Sequence, residues 1–250
     1  MARNPTARRP ALITDTLPLV QLAASMGHVC GVRPDSSLAC WGSTIFGKRG
    51  FGAPVATVGT LDPNLVQGTT GYRQVVTGNQ HSCGLLTSGG RVTCWGAGAV
   101  LGDTATTMQS SDTACFFPIS CALAPIPVTS LNGIEELGAG SEATCARGTS
   151  VWCWGYLGTY YARPTAVVLP EPVHHLTVGN GFACALSVLG RAYCWGAAGP
   201  ALGRPGSGTR TGARDDEPAV SPPRRRQRPY LWSHRGRRSL LLGRPCLGAA

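Results

Sequence analysis

Charge is scarce in this chain. Asp, Glu, Lys and Arg make up 14% of its 250 residues, and only twelve side chains are acidic. Nine of those acids fall in residues 1–200, scattered over many segments, which disfavours a hydrolytic site built on clustered carboxylates. No run of 18 or more apolar residues exists, so no helix is expected to cross a membrane. No Ser/His/Asp order, His-Glu-x-x-His, phosphate loop or dinucleotide glycine pattern occurs. Cys-x-x-Cys is missing too, which makes zinc a poor reading of the cysteines. Residues 1–25 hold no apolar stretch of secretory type, because Met1-Ala-Arg-Asn leads straight into Pro and Arg.

What the chain does have is cysteine, eleven in all, and a motif. Cys-Trp-Gly occurs as Cys40-Trp41-Gly42, Cys94-Trp95-Gly96, Cys153-Trp154-Gly155 and Cys194-Trp195-Gly196, with earlier partners Cys30, Cys83, Cys145 and Cys184. The residues ending at each first cysteine align as LVQLAASMGHVC, YRQVVTGNQHSC, IEELGAGSEATC and VHHLTVGNGFAC. Each opens on an apolar residue (Leu19, Tyr72, Ile134, Val173) and repeats one three places on (Leu22, Val75, Leu137, Leu176). The starts recur 53, 62 and 39 residues apart, the scale of stacked or radially arranged supersecondary units. Between the cysteines lie turn-rich clusters, Pro34-Asp35-Ser36, Thr87-Ser-Gly-Gly90, Gly148-Thr149-Ser150 and Val188-Leu189-Gly190. Each segment therefore reads as a β-hairpin. Every cysteine pair is centred on its turn, which sets the two sulfurs directly opposite with Cβ atoms about 4.5–5.5 Å apart.

This pattern resembles the repeats of the regulator of chromosome condensation family, in its bacterial, cysteine-rich branch of alpha-tubulin-suppressor-like repeats. The residues that carry it are Gly78 to His81 and more loosely Ser25 to His28, the apolar strand after them, and the closing aromatic-x-Trp-Gly, best seen in Tyr193-Cys194-Trp195-Gly196. Leu101-Gly102-Asp103 and Leu202-Gly203 stand where that family carries a Gly-Gln-Leu-Gly turn. The resemblance covers roughly residues 10–203 and implies an all-β fold. The expectation is a partial, open β-propeller of about four blades from a seven-bladed type, with apolar faces exposed at both ends and a disordered C-terminal tail.

The domain reading is a partial inter-blade linker at 1–18, four repeats at 19–203 with hairpins near 25–42, 78–96, 140–155 and 179–196, and a basic tail at 204–250. Cys30/Cys40, Cys83/Cys94, Cys145/Cys153 and Cys184/Cys194 are disulfide candidates, with Cys115 and Cys121 as a fifth clip. The alternative is reduced cysteine packed as a small apolar residue. Oxidised pairs need an oxidising compartment, so the intact gene product is expected outside the cell or in its envelope. Arg9-Pro10 and the residues after it parallel Arg163-Pro164 and its continuation, read as an inter-hairpin linker, as though the chain began inside a longer gene.

The tail holds eleven arginines against three acids in residues 201–250. Read one base out of frame, Leu240-Leu-Leu-Gly243 can hide Tyr-Cys-Trp-Gly, and Pro229 to His234 can hide His-Thr-Cys-Gly-Leu-Thr. A frameshifted fifth repeat thus outranks a nucleic-acid arm.

His28 and His81 belong to a repeat column that holds Ala143 and Phe182 elsewhere, so structural hydrogen bonding is expected of them. His174-His175 and Glu135-Glu136 are strand neighbours, which point to opposite faces, and neither is read as a site. Trp41, Trp95, Trp154 and Trp195, each with its following glycine (Gly42, Gly96, Gly155, Gly196), are read as blade packing. The expected function is a non-catalytic scaffold that binds an unknown protein partner through inter-blade loops, chiefly Gly96–Pro127. No cofactor, metal, membrane or specific nucleic acid is expected. Guanine-nucleotide exchange on a small GTPase and secreted carbohydrate binding stand as alternatives, both by fold analogy alone. DNA sequenced across the codons for Gly196 to Arg224 should show the hidden repeat in the shifted frame; codons that do not encode it remove the idea.

Overall fold

Each Cys-Trp-Gly cysteine and its earlier partner lie on the two middle strands of a four-stranded antiparallel meander, a blade. A computed structural model of the chain describes residues 18–52, 60–66, 68, 70–102, 115, 120–197, 199, 202 and 212–213. The chain divides into units Met1–Arg214 and Asp215–Ala250, and all described residues lie in the first. Blade 1 is β1 (Gln21–Ser25), β2 (His28–Val32), β3 (Leu38–Gly42) and β4 (Thr60–Leu65). Blade 2 is β5 (Tyr72–Thr77), β6 (His81–Leu86), β7 (Val92–Ala97) and β8 (Cys121–Pro127). Blade 3 is β9 (Glu136–Ala139), β10 (Ala143–Arg147), β11 (Val151–Tyr156) and β12 (Tyr160–Val167). Blade 4 is β13 (Val173–Val178), β14 (Phe182–Ser187), β15 (Ala192–Gly196) and β16 (Gly212–Ala213). Strands pair in sequence order within every sheet. The result is a partial β-propeller of four blades.

The register puts Cys30 opposite Cys40, Cys83 opposite Cys94, Cys145 opposite Cys153 and Cys184 opposite Cys194. All four pairs are disulfides with Cα atoms 4.1 Å apart, and Cys115–Cys121 is a fifth at 5.5 Å. The motif glycine has a geometric cause. Gly42, Gly96, Gly155 and Gly196 all have positive φ, and a Cβ on any of them would collide with the carbonyl oxygen of Gly27, Gln80, Glu142 or Gly181. Neither the backbone conformation nor the space admits a side chain there.

The outer strands are a finding that the sequence reading lacks. Arg163-Pro164, taken there as linker, lies on β12 and pairs through it with β11. In three blades the register shifts opposite the tryptophan, between Cys40 and Gly42, Cys94 and Gly96, and Cys153 and Gly155. Pro63, Pro125 and Pro164 fall within those irregularities. A bulge at a sheet edge asks for no ladder donor, so proline is tolerated where a central strand would refuse it. Within 204–250, Gly212 and Ala213 are described, and they pair with Cys194 and Tyr193. Arg9-Pro10, Asp103, Gly203 and the remaining tail lie outside the described residues.

Consecutive blades pack face to face: β5 lies against β1 and β2, β9 against β5 and β6, and β13 against β9 and β10. Val75, Leu137 and Leu176, one column of the repeat, are buried at these junctions, whereas Leu22 of the same column on blade 1 is 57% exposed. Trp95 and Trp154 are fully buried, and on the order of 3–5 kcal/mol rests on a tryptophan so placed.

Non-reducing peptide mapping of chain purified without reductant should recover these five pairs as linked peptides. Cys83→Ser with Cys94→Ser opens a loop with a sequence separation of 11 and should lower unfolding free energy by about 3 kcal/mol in urea titration. Recovery of these cysteines as alkylated free thiols would remove the oxidised reading.

Candidate functional site

The third residue of each aligned repeat forms a rung that the sequence reading passed over. Gln21 Nε2 donates to Val75 O at 2.9 Å, and Val75 N donates back to Gln21 Oε1 at 2.9 Å. Gln74 does the same for Leu137, at 3.0 and 2.8 Å. A carboxamide has one acceptor and one donor in the geometry of a peptide unit, so it completes the inner strand of the next blade as an extra backbone group would. The signal was visible as a polar column: Gln21, Gln74, Glu136, His175.

A second rung runs through the histidines. His28 Nε2 lies 2.8 Å from Ser82 Oγ, and His81 Nε2 lies 2.7 Å from Thr144 Oγ1. Ser82 Oγ donates to Lys48 O at 2.9 Å. Its one proton is thereby committed, and His28 Nε2 is the donor in their bond. Burial holds both imidazoles neutral. His28 is pushed down to about 3, with the nearby Lys48 charge adding to the effect, and His81 to about 4.

The connectors after Trp-Gly complete the junctions. In the connector 43–59, Lys48 O also accepts Trp95 Nε1–H at 2.9 Å, while Lys48 Nζ donates to Met26 O at 3.1 Å and Asn79 O at 3.2 Å. One lysine thus ties blade 1, its connector and blade 2 together. The turns Ile45–Gly47 and Gly98–Val100 sit on β7 and β8 and on β11 respectively.

The junction between blades 3 and 4 departs from this pattern. Its histidine and hydroxyl columns hold Ala143 and Ala183, both buried. In place of the glutamine brace, Glu136 accepts from Arg147 Nε at 2.9 Å and meets His175 Nδ1 at 2.7 Å. The connector, residues 157–159, is short, and Trp195 Nε1 is buried with no acceptor among the described residues. A buried donor left so costs about 1–3 kcal/mol.

One geometric expectation needs correction. Glu135 precedes β9, so strand alternation does not separate it from Glu136, and both carboxylates bind Arg147 (Glu135 at 2.6 Å). His174 is the unpaired residue of a register shift between Val173 and His175, and both imidazoles are exposed. Glu135 and Glu136 are engaged in ion pairs, not poised against a reacting centre. Among the described residues no three His, Cys, Asp or Glu side chains gather as a metal-ligand set, and no helix is long and apolar enough to cross a membrane.

Residues 72–99, blade 2 from β5 through the turn after Trp95-Gly96, match the family model of the Regulator of chromosome condensation (RCC1) repeat. The match spans β5, β6 and β7 of blade 2. Solved structures agree on the fold. Prp20p from Saccharomyces cerevisiae, described with its binding to Gsp1p and histones, is 18% identical over 73% of this chain and 46% of its own, with a TM-score of 0.59. Human WBSCR16 is 16% identical over 71% of this chain and 47% of its own, with a TM-score of 0.57. Yeast RCC1 (Prp20) bound by Kap60 gives a match of 18% identity and TM-score 0.59, over 75% of this chain and 45% of the matched one. The chain spans less than half the length of these matched chains. Around this matched segment, the glutamine and histidine rungs account for the junctions on both sides of blade 2.

The histidine rungs set a pH dependence. Below about 6.5 the unfolded chain takes up protons at His28 and His81 that the folded chain refuses, so stability held at neutral pH is lost as pH falls. By pH 5 each histidine should have withdrawn about 2 kcal/mol. His81→Gln should be less stable than the parent at pH 7 but should show a shallower fall in urea midpoint between pH 7 and 5. An unchanged slope would sink the assignment.

Proposed function

We propose that the chain is a non-catalytic β-propeller scaffold that binds protein partners through the connectors after its Trp-Gly turns, and that it works in an oxidising setting, outside the cell or in its envelope. One observation carries the binding surface. The blades repeat the same disulfide and tryptophan positions, while the connectors 43–59, 98–120 and 157–159 differ in length and content. Variable loops on a rigid repeated frame are where recognition is placed. The connector 98–120 contains Cys115, bonded to Cys121 at the start of β8, a clip that lowers the entropy lost when a loop orders on a partner. Of it, residues 98–102, 115 and 120 are described. Five disulfides support the oxidising setting, and the described binding of Gsp1p and histones by Prp20p supports a protein as partner.

The test is capture of partners by the oxidised full-length chain, beside a variant whose residues 98–120 are replaced by Leu-Gly-Thr, the sequence of 157–159. A protein held by the parent and released by the variant, with both giving the same far-UV spectrum, is the expected result. Retention by the variant removes this connector as the site. Glycan binding or nucleotide release from a small GTPase, without protein capture, would replace the scaffold reading by one of its alternatives.

A further inference from the structure

At the first junction the next blade's tryptophan is covered by chain. Lys48 O accepts the Trp95 indole N–H, and Gly50 lies so close that a Cβ there would come within 2.9 Å of Nε1. At the second, Gly102 lies on the ring of Trp154, where a Cβ would stand 3.0 Å from Nε1, and that tryptophan is wholly buried. At the third, Gly158 packs elsewhere: its Cβ would meet Ala197 N at 2.6 Å, past the indole. Trp195 is 7% exposed, and its sealed Nε1 lacks an acceptor among the described residues. The same side chain lines a cleft of about 210 Å³ with Leu157, Tyr161, Thr165, Val167 and Gly196. Trp154 Nε1 also lacks an acceptor among the described residues, but Gly102 occupies the space beside it. The third junction therefore places an unanswered, sealed donor on a residue that borders an open cleft.

We propose that this cleft binds a short peptide turn of a protein partner, which presents a backbone carbonyl to Trp195 Nε1 and a glycine to the indole face. The chemistry of the occupant is read from the first junction, where Lys48 to Gly50 of this same chain fill the corresponding place. A buried indole N–H ordinarily has a partner, and apolar walls with one donor orient a backbone carbonyl without demanding a charged side chain. Nε1 is closed to water in the free chain, so entry requires a side-chain step at the cleft wall, a change common at interfaces. This deepens the scaffold reading and rests on it, adding a segment class at a site separate from the connector 98–120.

The probe is a synthetic peptide of residues 43–52 of this chain, titrated into the disulfide-bonded full-length protein with ¹⁵N-labelled indoles. The Trp195 signal is assigned by its loss in Trp195→Phe, which keeps an aromatic ring and removes the donor. Saturable movement of the Trp195 N–H, with the other indoles still, is expected. Trp195→Phe should weaken binding about fivefold, the share of one hydrogen bond, measured by calorimetry on folded protein. Thr165→Phe, which fills the cleft, should abolish binding. The proposal is overturned if the Trp195 signal is silent, if Trp95 moves in its place, or if Trp195→Phe binds as tightly as the parent. A silent Trp195 in a chain that still captures a partner through 98–120 removes the cleft alone, whereas loss of both removes the scaffold.

Discussion

A four-stranded blade has two faces to bury and only other blades to bury them against. The junction is therefore the unit on which this structure depends, and it carries both apolar and polar terms. Val75, Leu137 and Leu176 supply the buried apolar column, but such contact is indifferent to sliding. Gln21 and Gln74 remove that freedom, because each must meet one N–H and one C=O of a single residue across the junction. His28 with Ser82 and His81 with Thr144 repeat the constraint at a second height. Buried hydrogen bonds add about 1 kcal/mol each net, yet breaking one side leaves a larger desolvation penalty. The rungs thus act chiefly by penalising every other register.

The hairpins were legible because their signal is local. Cysteines equidistant from a turn must face one another on adjacent antiparallel strands, and Cys30/Cys40 and its three counterparts do. The outer strands were not legible, because Pro63, Pro125 and Pro164 suppress the strand pattern and their edge position excuses them only once the sheet is known. The rungs were half visible. His28 and His81 were singled out as structural, but their partners Ser82 and Thr144 lie 54 and 63 residues away in sequence, and no local pattern names them. The third junction shows the limit from the other side. Ala143 reads in the sequence as a missing histidine, and only the fold reveals that Ala183 has lost the matching hydroxyl. Glu135-Glu136 departs from expectation because alternation does not hold where a strand starts.

The scarcity of charge has its cause in the same architecture. Ionised groups at a blade junction need partners, and Lys48, one of the buried cations, is held by backbone carbonyls of two blades, which fixes their spacing. Arg147 is likewise enclosed by Glu135 and Glu136. What remains variable is the connectors, and the character of each is set by whether it reaches the next indole.

The hairpin staple and the junction rung are physically one device. Cys30 Sγ lies 3.9 Å from Ser82 Oγ, and Cys83 Sγ lies 3.7 Å from Thr144 Oγ1, so each disulfide sits beside the hydroxyl that its own blade's histidine bonds across the junction. A disulfide sulfur has no proton to give and is a weak acceptor; it leaves the hydroxyl to the imidazole and, at Ser82, to Lys48 O. Reduction would put a competing thiol donor at that spot and free the two strands to part. The cost would then extend past the loop-closure entropy of one hairpin into the packing of its neighbour. Stability in such an array is a sum of blade and junction terms, and here oxidation of one blade supports both. The third junction, where Ala143 and Ala183 break the rung, is where that coupling stops.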